Sequence, residues 1–329
     1  MTGAVEARST RPRALAMAIP VIASLLSACH AGRLEPELTH PAGVIAASPR
    51  LGERPYGVAI SRTGIVFVSR LDAEAISRAD LPDTTFTGFV AVGLVPTDVV
   101  FNRAATRAFV ANQHSQQVGI VDVATSRQVD ALDFPGDPAR VLVAPDDRTL
   151  FVATNTGRLY RVDLATKDVV AEFELPELAN GLVLNSGGTR LYASTISGAV
   201  VEIHTGTNAV LRTFPVGRRA QGLAVSPDGR EVYIADETDR RMIVWSLTEG
   251  RFLQAVPLSG RPFDLRLTPD GAQIYVSLYT TGQVLVFDRA SRERVATIPT
   301  GGDPRRIAFD PTGSVAVVAN QAGWVDFIR

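Results

Sequence analysis

Short runs of apolar residues recur along most of this chain at a nearly constant interval. The runs that align are Val58-Ala59-Ile60, Val99-Val100-Phe101, Val141-Leu142-Val143, Leu182-Val183-Leu184, Leu223-Ala224-Val225, Leu265-Arg266-Leu267 and Ile307-Ala308-Phe309. The residues just before them lie 41 or 42 positions apart and are Gly57, Asp98, Arg140, Gly181, Gly222, Asp264 and Arg306. A constant interval of this length predicts a repeat architecture. We expect the first strands of the seven units to begin near Pro55, Pro96, Pro138, Ala179, Ala220, Pro262 and Pro304.

Each repeat continues with a turn and further short strands. Ser226-Pro227-Asp228-Gly229 follows one first strand, and proline with glycine favours a tight connection there. A second strand then carries an aromatic residue in six repeats: Phe67, Phe109, Phe151, Tyr192, Tyr233 and Tyr275. A third strand ends in Asp122, Asp163 or Asp288, each followed three residues later by Thr or Ser. That spacing suits a capped turn into a fourth strand, which residues 294–298 supply in the sixth repeat.

Four short strands in a unit of about 40 residues are typical of a β-propeller blade. We therefore predict an all-β fold, a seven-bladed β-propeller with four-stranded antiparallel blades, over residues 43–329. The seventh repeat ends after its third strand, whereas residues 44–49 resemble the fourth strand of the sixth repeat. We expect this N-terminal strand to complete the last blade and close the ring, because closure removes two exposed sheet edges.

The units resemble YVTN-type β-propeller repeats. The resemblance rests on the SPDG-like turns, on third strands of the VxDxxT type and on second strands such as Phe109-Val110-Ala111-Asn112. It covers roughly residues 43–329. It implies the fold rather than an activity, since that family includes surface-layer proteins, DNA-binding periplasmic proteins and subunits of redox enzymes.

The first 29 residues have the layout of an export signal. Three arginines precede an apolar stretch over residues 14–26, which is too short to span a membrane. Leu26-Ser27-Ala28-Cys29 resembles the lipobox of bacterial lipoproteins, which implies lipidation of Cys29 and cleavage before it. The alternative is an ordinary cleavage site with an incidental cysteine. We predict a signal peptide over residues 1–28, a tether over 29–42, and a lipid anchor in the cell envelope, on the periplasmic side or the outer membrane.

Composition narrows the possible partners. Hydrophobic residues make up 46% of the chain and charged residues 20%, as in folded globular proteins. The formal net charge of -1 provides no overall attraction for nucleic acid, so we do not expect nucleic-acid binding. Cys29 is the one cysteine, so no internal disulfide forms and packing has to stabilise the fold. We expect a monomer.

The sequence contains no recognisable catalytic or cofactor motif. Metal-ligand spacings, a haem attachment motif, a nucleophile elbow and a phosphate-binding loop are all missing from it. His30 and His40 fall in the tether, and His204 occupies the position of the turn aspartates. His114 lies in a loop after a second strand, where propellers often expose functional groups. We accordingly predict no catalytic residue, no metal site and no cofactor.

Polar residues at the end of each repeat opposite its first turn are predicted to meet at one mouth of the central channel. They come from the starts of the first strands and from the loops after the second strands. They differ from blade to blade, which favours a site for a small polar ligand or a peptide, although contact with water also explains their polarity. The candidate ligand-binding residues are Tyr56, Arg70, Asp98, Asn112, His114, Arg140, Asn180, Gln221, Asp236, Asp264, Tyr279, Arg306 and Asn320.

Three functions are compatible with these patterns. The first is a lipid-anchored binding or scaffold module that contacts an envelope protein or a small polar ligand. The second is a lactonase-like hydrolase or lyase in which Asp98, Asp264, Asp236 and Glu237 hold a divalent metal. The third is DNA binding, as in some relatives, through the arginine pairs 218–219, 240–241 and 305–306. The near-neutral net charge argues against the third.

Overall fold

The computed structural model describes residues 39–329, which form seven sheets of four antiparallel strands each. Cys29, the signal peptide and most of the predicted tether lie outside the described residues. The chain enters the ring through β1 (Ile45–Ala47). Blade 1 contains β2 (Pro55–Ile60), β3 (Ile65–Arg70), β4 (Ala75–Asp80) and β5 (Gly88–Ala91). Blade 2 contains β6 (Pro96–Phe101), β7 (Arg107–Asn112), the 3₁₀ turn η1 (Gln113–Ser115), β8 (Gln117–Asp122) and β9 (Arg127–Asp133).

The next four blades repeat the same arrangement. Blade 3 contains β10 (Pro138–Val143), β11 (Thr149–Thr154), β12 (Arg158–Asp163) and β13 (Val169–Glu174). Blade 4 contains β14 (Ala179–Leu184), β15 (Arg190–Thr195), β16 (Ala199–His204) and β17 (Ala209–Pro215). Blade 5 contains β18 (Ala220–Val225), β19 (Glu231–Asp236), β20 (Arg241–Ser246) and β21 (Arg251–Pro257). Blade 6 contains β22 (Pro262–Leu267), β23 (Gln273–Leu278), β24 (Gln283–Asp288) and β25 (Arg294–Ile298).

Blade 7 is built from both ends of the described chain, as predicted. Its strands are β26 (Pro304–Phe309), β27 (Ala316–Asn320), β28 (Trp324–Ile328) and the outermost strand β1. The N–H of Val44 donates to the carbonyl of Arg329, and the N–H of Arg329 donates to that of Val44, both at 2.8 Å. The ring is therefore closed by pairing between the N-terminal strand and the last strand.

All seven predicted first strands are confirmed, and each begins at the predicted residue. These innermost strands contact one another in a closed ring, β2-β6-β10-β14-β18-β22-β26 and back to β2. Proline begins five of them, where a strand's first residue tolerates the missing N–H. Within residues 39–329, no helix is long and apolar enough to span a membrane.

The hydrophobic core lies between blades rather than inside them. Seven apolar clusters are present, and each combines residues of two neighbouring blades. The second-strand aromatics belong to these clusters; Phe67, Phe151, Tyr233 and Tyr275 are fully buried. Because both faces of most strands are covered, the sequence shows continuous apolar runs in place of strict alternation.

The turns into the fourth strands form as the Asp-x-x-Thr/Ser spacing predicts. Asp122 Oδ1 accepts from the N–H and the hydroxyl of Thr125, both at 2.9 Å. In blade 4, His204 Nδ1 accepts from the N–H groups of Gly206 and Thr207, each at 3.1 Å. His204 is therefore a substituted turn residue, as interpreted from its position in the repeat.

Candidate functional site

The two predicted sets of polar residues lie at the same end of the channel. Within a blade, the first residue of the inner strand pairs with the last residue of the second strand. Examples are Pro96 with Asn112 and Pro304 with Asn320. We call this end of the ring the upper end. The opposite end carries the turns between first and second strands.

Side chains from blades 1, 3, 6 and 7 meet at the upper end of the channel. The ring of Tyr56 packs edge to face against Phe263 with centroids 5.5 Å apart. The Arg140 guanidinium lies 6.0 Å from the centre of the Tyr56 ring, and that of Arg306 lies 5.0 Å from the centre of Phe263. Both arginines are nearly inaccessible, with 6% and 3% of their surface exposed.

Asp264 joins blade 6 to blade 7. Its Oδ1 accepts from Arg306 Nη1 at 3.2 Å, and its Oδ2 accepts from the backbone N–H of Ile307 at 3.1 Å and from Arg266 Nε at 3.2 Å. Burial acts to raise the pKa of Asp264, but the guanidinium charges of Arg266 and Arg306 and the backbone hydrogen bonds outweigh it. The pKa therefore lies below the ordinary aspartate value, and the group is a carboxylate at neutral pH.

Asp98 likewise forms a hydrogen bond between blades 2 and 3. Its Oδ2 accepts from the backbone N–H of Val141 at 3.2 Å, and its Oδ1 accepts from Val99 at 3.1 Å. The two inner-strand aspartates thus each accept an N–H from the following blade. One carboxylate oxygen of each aspartate therefore connects its own blade to the next by a hydrogen bond.

A second polar cluster surrounds Glu237, which follows β19. Its Oε1 accepts from the Tyr279 hydroxyl at 2.7 Å, and its Oε2 accepts from Gln221 Nε2 at 2.5 Å. Arg219 Nε lies 2.9 Å from Oε2 as an ion pair. Burial, followed by the hydrogen bond to Glu237, raises the pKa of Tyr279.

An upper pocket of about 610 Å³ opens beside these groups. The guanidinium of Arg305 lies 4.7 Å from the ring centre of Phe263 and 4.6 Å from that of Tyr279, and its Nε donates to Gln321 at 2.7 Å. Cation–π contacts of this kind fix the guanidinium while leaving it partly accessible. The pocket is lined by Arg54, Tyr56, Leu71, Asp72, Val95, Thr97, Gln113, His114, Arg305 and Gln321.

Four of the predicted candidates line neither the upper pocket nor the channel cavity, and none of the four bonds to Glu237. Asn112, Asp236 and Asn320 are completely buried, and Arg70 pairs with Glu53. Asn320 Nδ2 donates to the carbonyl of Gly301 at 3.0 Å, so its amide holds the incoming loop of its own blade. At these strand ends, the sequence pattern cannot distinguish a side chain that is buried or ion-paired from one that lies at a ligand site.

The remaining candidates are distributed over three neighbouring places. Asp98, Arg140, Asp264 and Arg306 line the channel, and the carbonyl of Asn180 accepts from both arginines there. Gln221 and Tyr279 bind Glu237, as described above. Tyr56 and the exposed His114 line the upper pocket.

Three residues with prominent contacts, Phe263, Arg266 and Arg305, were not among the predicted ligand-binding candidates. Phe263 touches Tyr56, Tyr279 and both Arg305 and Arg306, and Arg266 lines the channel. Phe263 follows the strand's first residue, as Tyr56 does in blade 1. Comparing that one position in all seven repeats would have identified it, because Tyr, Thr, Ala, Asn, Gln, Phe and Arg occupy it in turn.

The acidic metal site of the lactonase-like alternative is not assembled within the described residues. Across residues 39–329, no group of three or more His, Cys, Asp or Glu side chains is placed so that it could hold a metal ion. Asp98 and Asp264 accept backbone N–H groups, while Asp236 pairs with Arg241 Nε at 2.9 Å. These three carboxylates and that of Glu237 therefore belong to separate structural contacts.

The arginine pairs do not form a continuous basic surface. Arg219 pairs with Glu237, Arg241 with Asp236 and Arg306 with Asp264. Phosphate contacts require concentrated positive charge that is free to meet them. The arrangement offers no support for the nucleic-acid interpretation.

Comparisons with known proteins agree with the fold. A family model described as "Lactonase, 7-bladed beta-propeller" matches residues 220–324, which is less than half of the chain. A solved structure described as Kuenenia stuttgartiensis hydrazine synthase aligns with a TM-score of 0.77 and 17% identity, covering 88% of this chain and 99% of that chain. At that identity the likeness shows the fold alone. Among curated proteins, none matches this chain. The chain is a seven-bladed β-propeller.

Proposed function

We propose that this protein is an exported, lipid-anchored binding module that presents the upper end of its propeller to a polar partner in the cell envelope. The observation that carries the proposal is the clamped guanidinium of Arg305 at the upper pocket. Its Cζ lies 4.7 Å from the ring centre of Phe263 and 4.6 Å from that of Tyr279, and its Nε donates to Gln321. A charged donor that is fixed before binding costs less entropy to use than a mobile one.

The surroundings of Arg305 suit a polar partner with several hydrogen-bonding groups. Gln113, His114 and Gln321 line the same pocket and supply amide and imidazole groups. Asp72 and Arg54 add charges of both signs at the rim, where they pair with each other at 3.3 Å. This mixture favours a peptide segment of an envelope protein, which offers carbonyl, N–H and charged groups together.

Placement in the envelope rests on the N-terminal sequence. The lipobox-like Leu26-Ser27-Ala28-Cys29 supports lipidation, and the chain has no other cysteine. Metabolic labelling with an alkyne fatty acid tests the anchor. Label that persists in Cys29→Ser contradicts it.

Site-specific photocrosslinking in intact cells tests the binding proposal. A photoreactive residue at exposed position His114 on the upper end should give one discrete protein adduct. The matched position is Arg62, an exposed residue in the turn after β2 at the opposite end, and it should give none. The same adducts from both positions, or none from either, would contradict a partner site at the upper end.

The partial family match favours a second candidate, a lactonase-like hydrolase. The matched residues 220–324 include Glu237, Tyr279 and Arg305, so the polar cluster of blades 5 and 6 falls within the matched part. Turnover of a lactone by the purified chain that Glu237→Gln abolishes would establish this activity. Absence of turnover over a panel of lactones, with and without added calcium, would dispose of it.

A further inference from the structure

A separate cavity of about 330 Å³ lies inside the channel. It is lined by inner-strand residues from the third position onward, so it extends from the aromatic contact of Tyr56 and Phe263 toward the opposite end of the ring. Most of its lining residues are aliphatic, and they include Leu142, Leu182 and Leu267. The charged residues on its surface are Asp98, Arg140, Asp264, Arg266 and Arg306.

The charges in this cavity do not balance. Three guanidinium groups face two carboxylates. Arg266 and Arg306 both pair with Asp264. Arg140 forms no ion pair with any carboxylate of residues 39–329; it donates to the carbonyls of Asn180 and Ala139, each at 2.7 Å. A buried charge without a counter-ion costs free energy, so this position favours an anion.

Arg140 and Arg306 approach each other at one acceptor. Arg140 Nε donates to the carbonyl of Asn180 at 2.7 Å, and Arg306 Nη2 donates to the same oxygen at 2.8 Å. Burial and then the neighbouring charge of Arg140 lower the pKa of Arg306 to about 10, although Asp264 opposes the change. Arg306 therefore stays charged at neutral pH, and the repulsion from the neighbouring guanidinium remains.

One donor of this pair is also unused. The Nε of Arg306 is buried and has no hydrogen-bond partner among residues 39–329. Arg306 itself is 97% buried, with 3% of its surface exposed. A buried N–H without an acceptor costs about 1–3 kcal/mol, which an anionic oxygen would recover.

We propose that this cavity binds a small organic carboxylate, whose charge lies between Arg140 and Arg306 and whose apolar body contacts the aliphatic walls. Guanidinium groups match carboxylate oxygens in geometry as well as in charge. The volume is at the lower end of the range for ligand pockets, which restricts the ligand to a compact molecule. The net positive charge of the walls disfavours a metal cation at the same place.

This site is distinct from the upper pocket, so the two proposals fail independently. Adjacent residues separate them: Arg305 lines the upper pocket, and Arg306 lines the channel cavity. Arg305→Met therefore serves as a matched control for Arg140→Met, since each removes one guanidinium and keeps an apolar stem of similar length.

Calorimetric titration of the full chain with benzoate, and with benzamide as a neutral molecule of the same shape, tests the proposal. Benzoate should bind at least about tenfold more tightly than benzamide, because the charge-assisted hydrogen bonds are lost in the amide. Arg140→Met should weaken benzoate binding by about tenfold or more, whereas Arg305→Met should leave it within about twofold.

A second substitution covers the case in which Arg140→Met does not fold. Arg140→Lys keeps the charge and should retain weaker benzoate binding. Equal affinity for benzoate and benzamide, no binding of benzoate, or equal losses in Arg140→Met and Arg305→Met would each overturn the proposal.

Discussion

At the scale of single residues, the third position of each inner strand determines how closely two blades approach. At Gly222, an added Cβ would lie 2.4 Å from Asp264 Oδ1 and 2.6 Å from the backbone nitrogen of Leu265. Both atoms belong to the next blade. In blades 2 and 6 the position is aspartate instead, and Asp98 and Asp264 accept backbone N–H groups of the following blade. At this position, glycine therefore leaves room for the neighbouring blade, and aspartate binds it.

Gly222→Ala should destabilise the propeller. The Cβ would press on backbone of blade 6, and overpacking of this kind costs about 1–3 kcal/mol of unfolding free energy. Urea unfolding of the two proteins measures the difference. Gly88→Ala is the matched control because an added Cβ there meets nothing within 4 Å. An equal loss of stability in both variants would contradict the account of blade contact at Gly222.

The position of the inner-strand residues was predictable, but their chemistry was not. The repeat spacing places Asp98 and Asp264 at the channel, and an acidic pair there suggested metal ligands. Each carboxylate instead accepts a hydrogen bond from a backbone N–H 43 positions further along the chain. Asp98 accepts from Val141, and Asp264 accepts from Ile307. A backbone donor carries no sequence signal, so only the folded ring shows that the acids are already bonded.

At the scale of strands, the closing contact between β1 and β28 is held by a buried carboxyl group. Asp326 is completely buried and accepts from Ser48 Oγ, next to β1, and from Trp324 Nε1 at 3.2 Å. Burial raises the pKa of Asp326 above its ordinary value of 3.8, and the hydrogen bonds from Ser48, Asn320 and Trp324 only partly offset this. The group forms no ion pair within residues 39–329, so the native state holds its proton more tightly than the unfolded chain does.

The raised pKa gives the closing contact a defined dependence on pH. The native state keeps this proton at pH values where the unfolded chain has lost it. The contribution of Asp326 to stability therefore falls as the pH rises from 3.8 through the native pKa. Asn at position 326 does not titrate and keeps groups that can donate and accept. The stability of Asp326→Asn relative to the wild type should therefore increase as the pH rises above 3.8.

Urea unfolding at several pH values measures this difference for the closing contact. Asp326→Ala, which removes the hydrogen bonds too, should be less stable than Asp326→Asn at every pH. Wild-type and Asp326→Asn stabilities that change in parallel with pH would show that Asp326 does not titrate differently in the folded state.

The strands themselves could be predicted closely because two signals agree. The apolar runs give the interval, and proline or alanine marks the first residue of every inner strand. The closing strand was less well defined: the predicted residues 44–49 contain β1 over Ile45–Ala47, and its register shifts between those two residues. A register shift depends on the partner strand, so the apolar pattern of the closing strand alone does not predict it.

At the scale of the whole molecule, the ring places two sites with different side chains next to each other along one channel. Arg305 is clamped by aromatic rings at the upper pocket, while Arg306 is buried with Arg140 and Asp264 in the cavity. The blades share their hydrophobic core with their neighbours, which holds these side chains in fixed positions. A rigid scaffold that presents residues from several blades suits binding.

The most direct test of the binding account is the effect of Arg305→Met on the photocrosslink formed from position His114. Methionine keeps an apolar stem against Phe263 and Tyr279, so the melting temperature should stay within about 2 °C of the wild type. The account predicts that the adduct from position 114 disappears in this folded variant. An adduct of unchanged yield would contradict the claim that the upper end of the propeller binds its partner through Arg305.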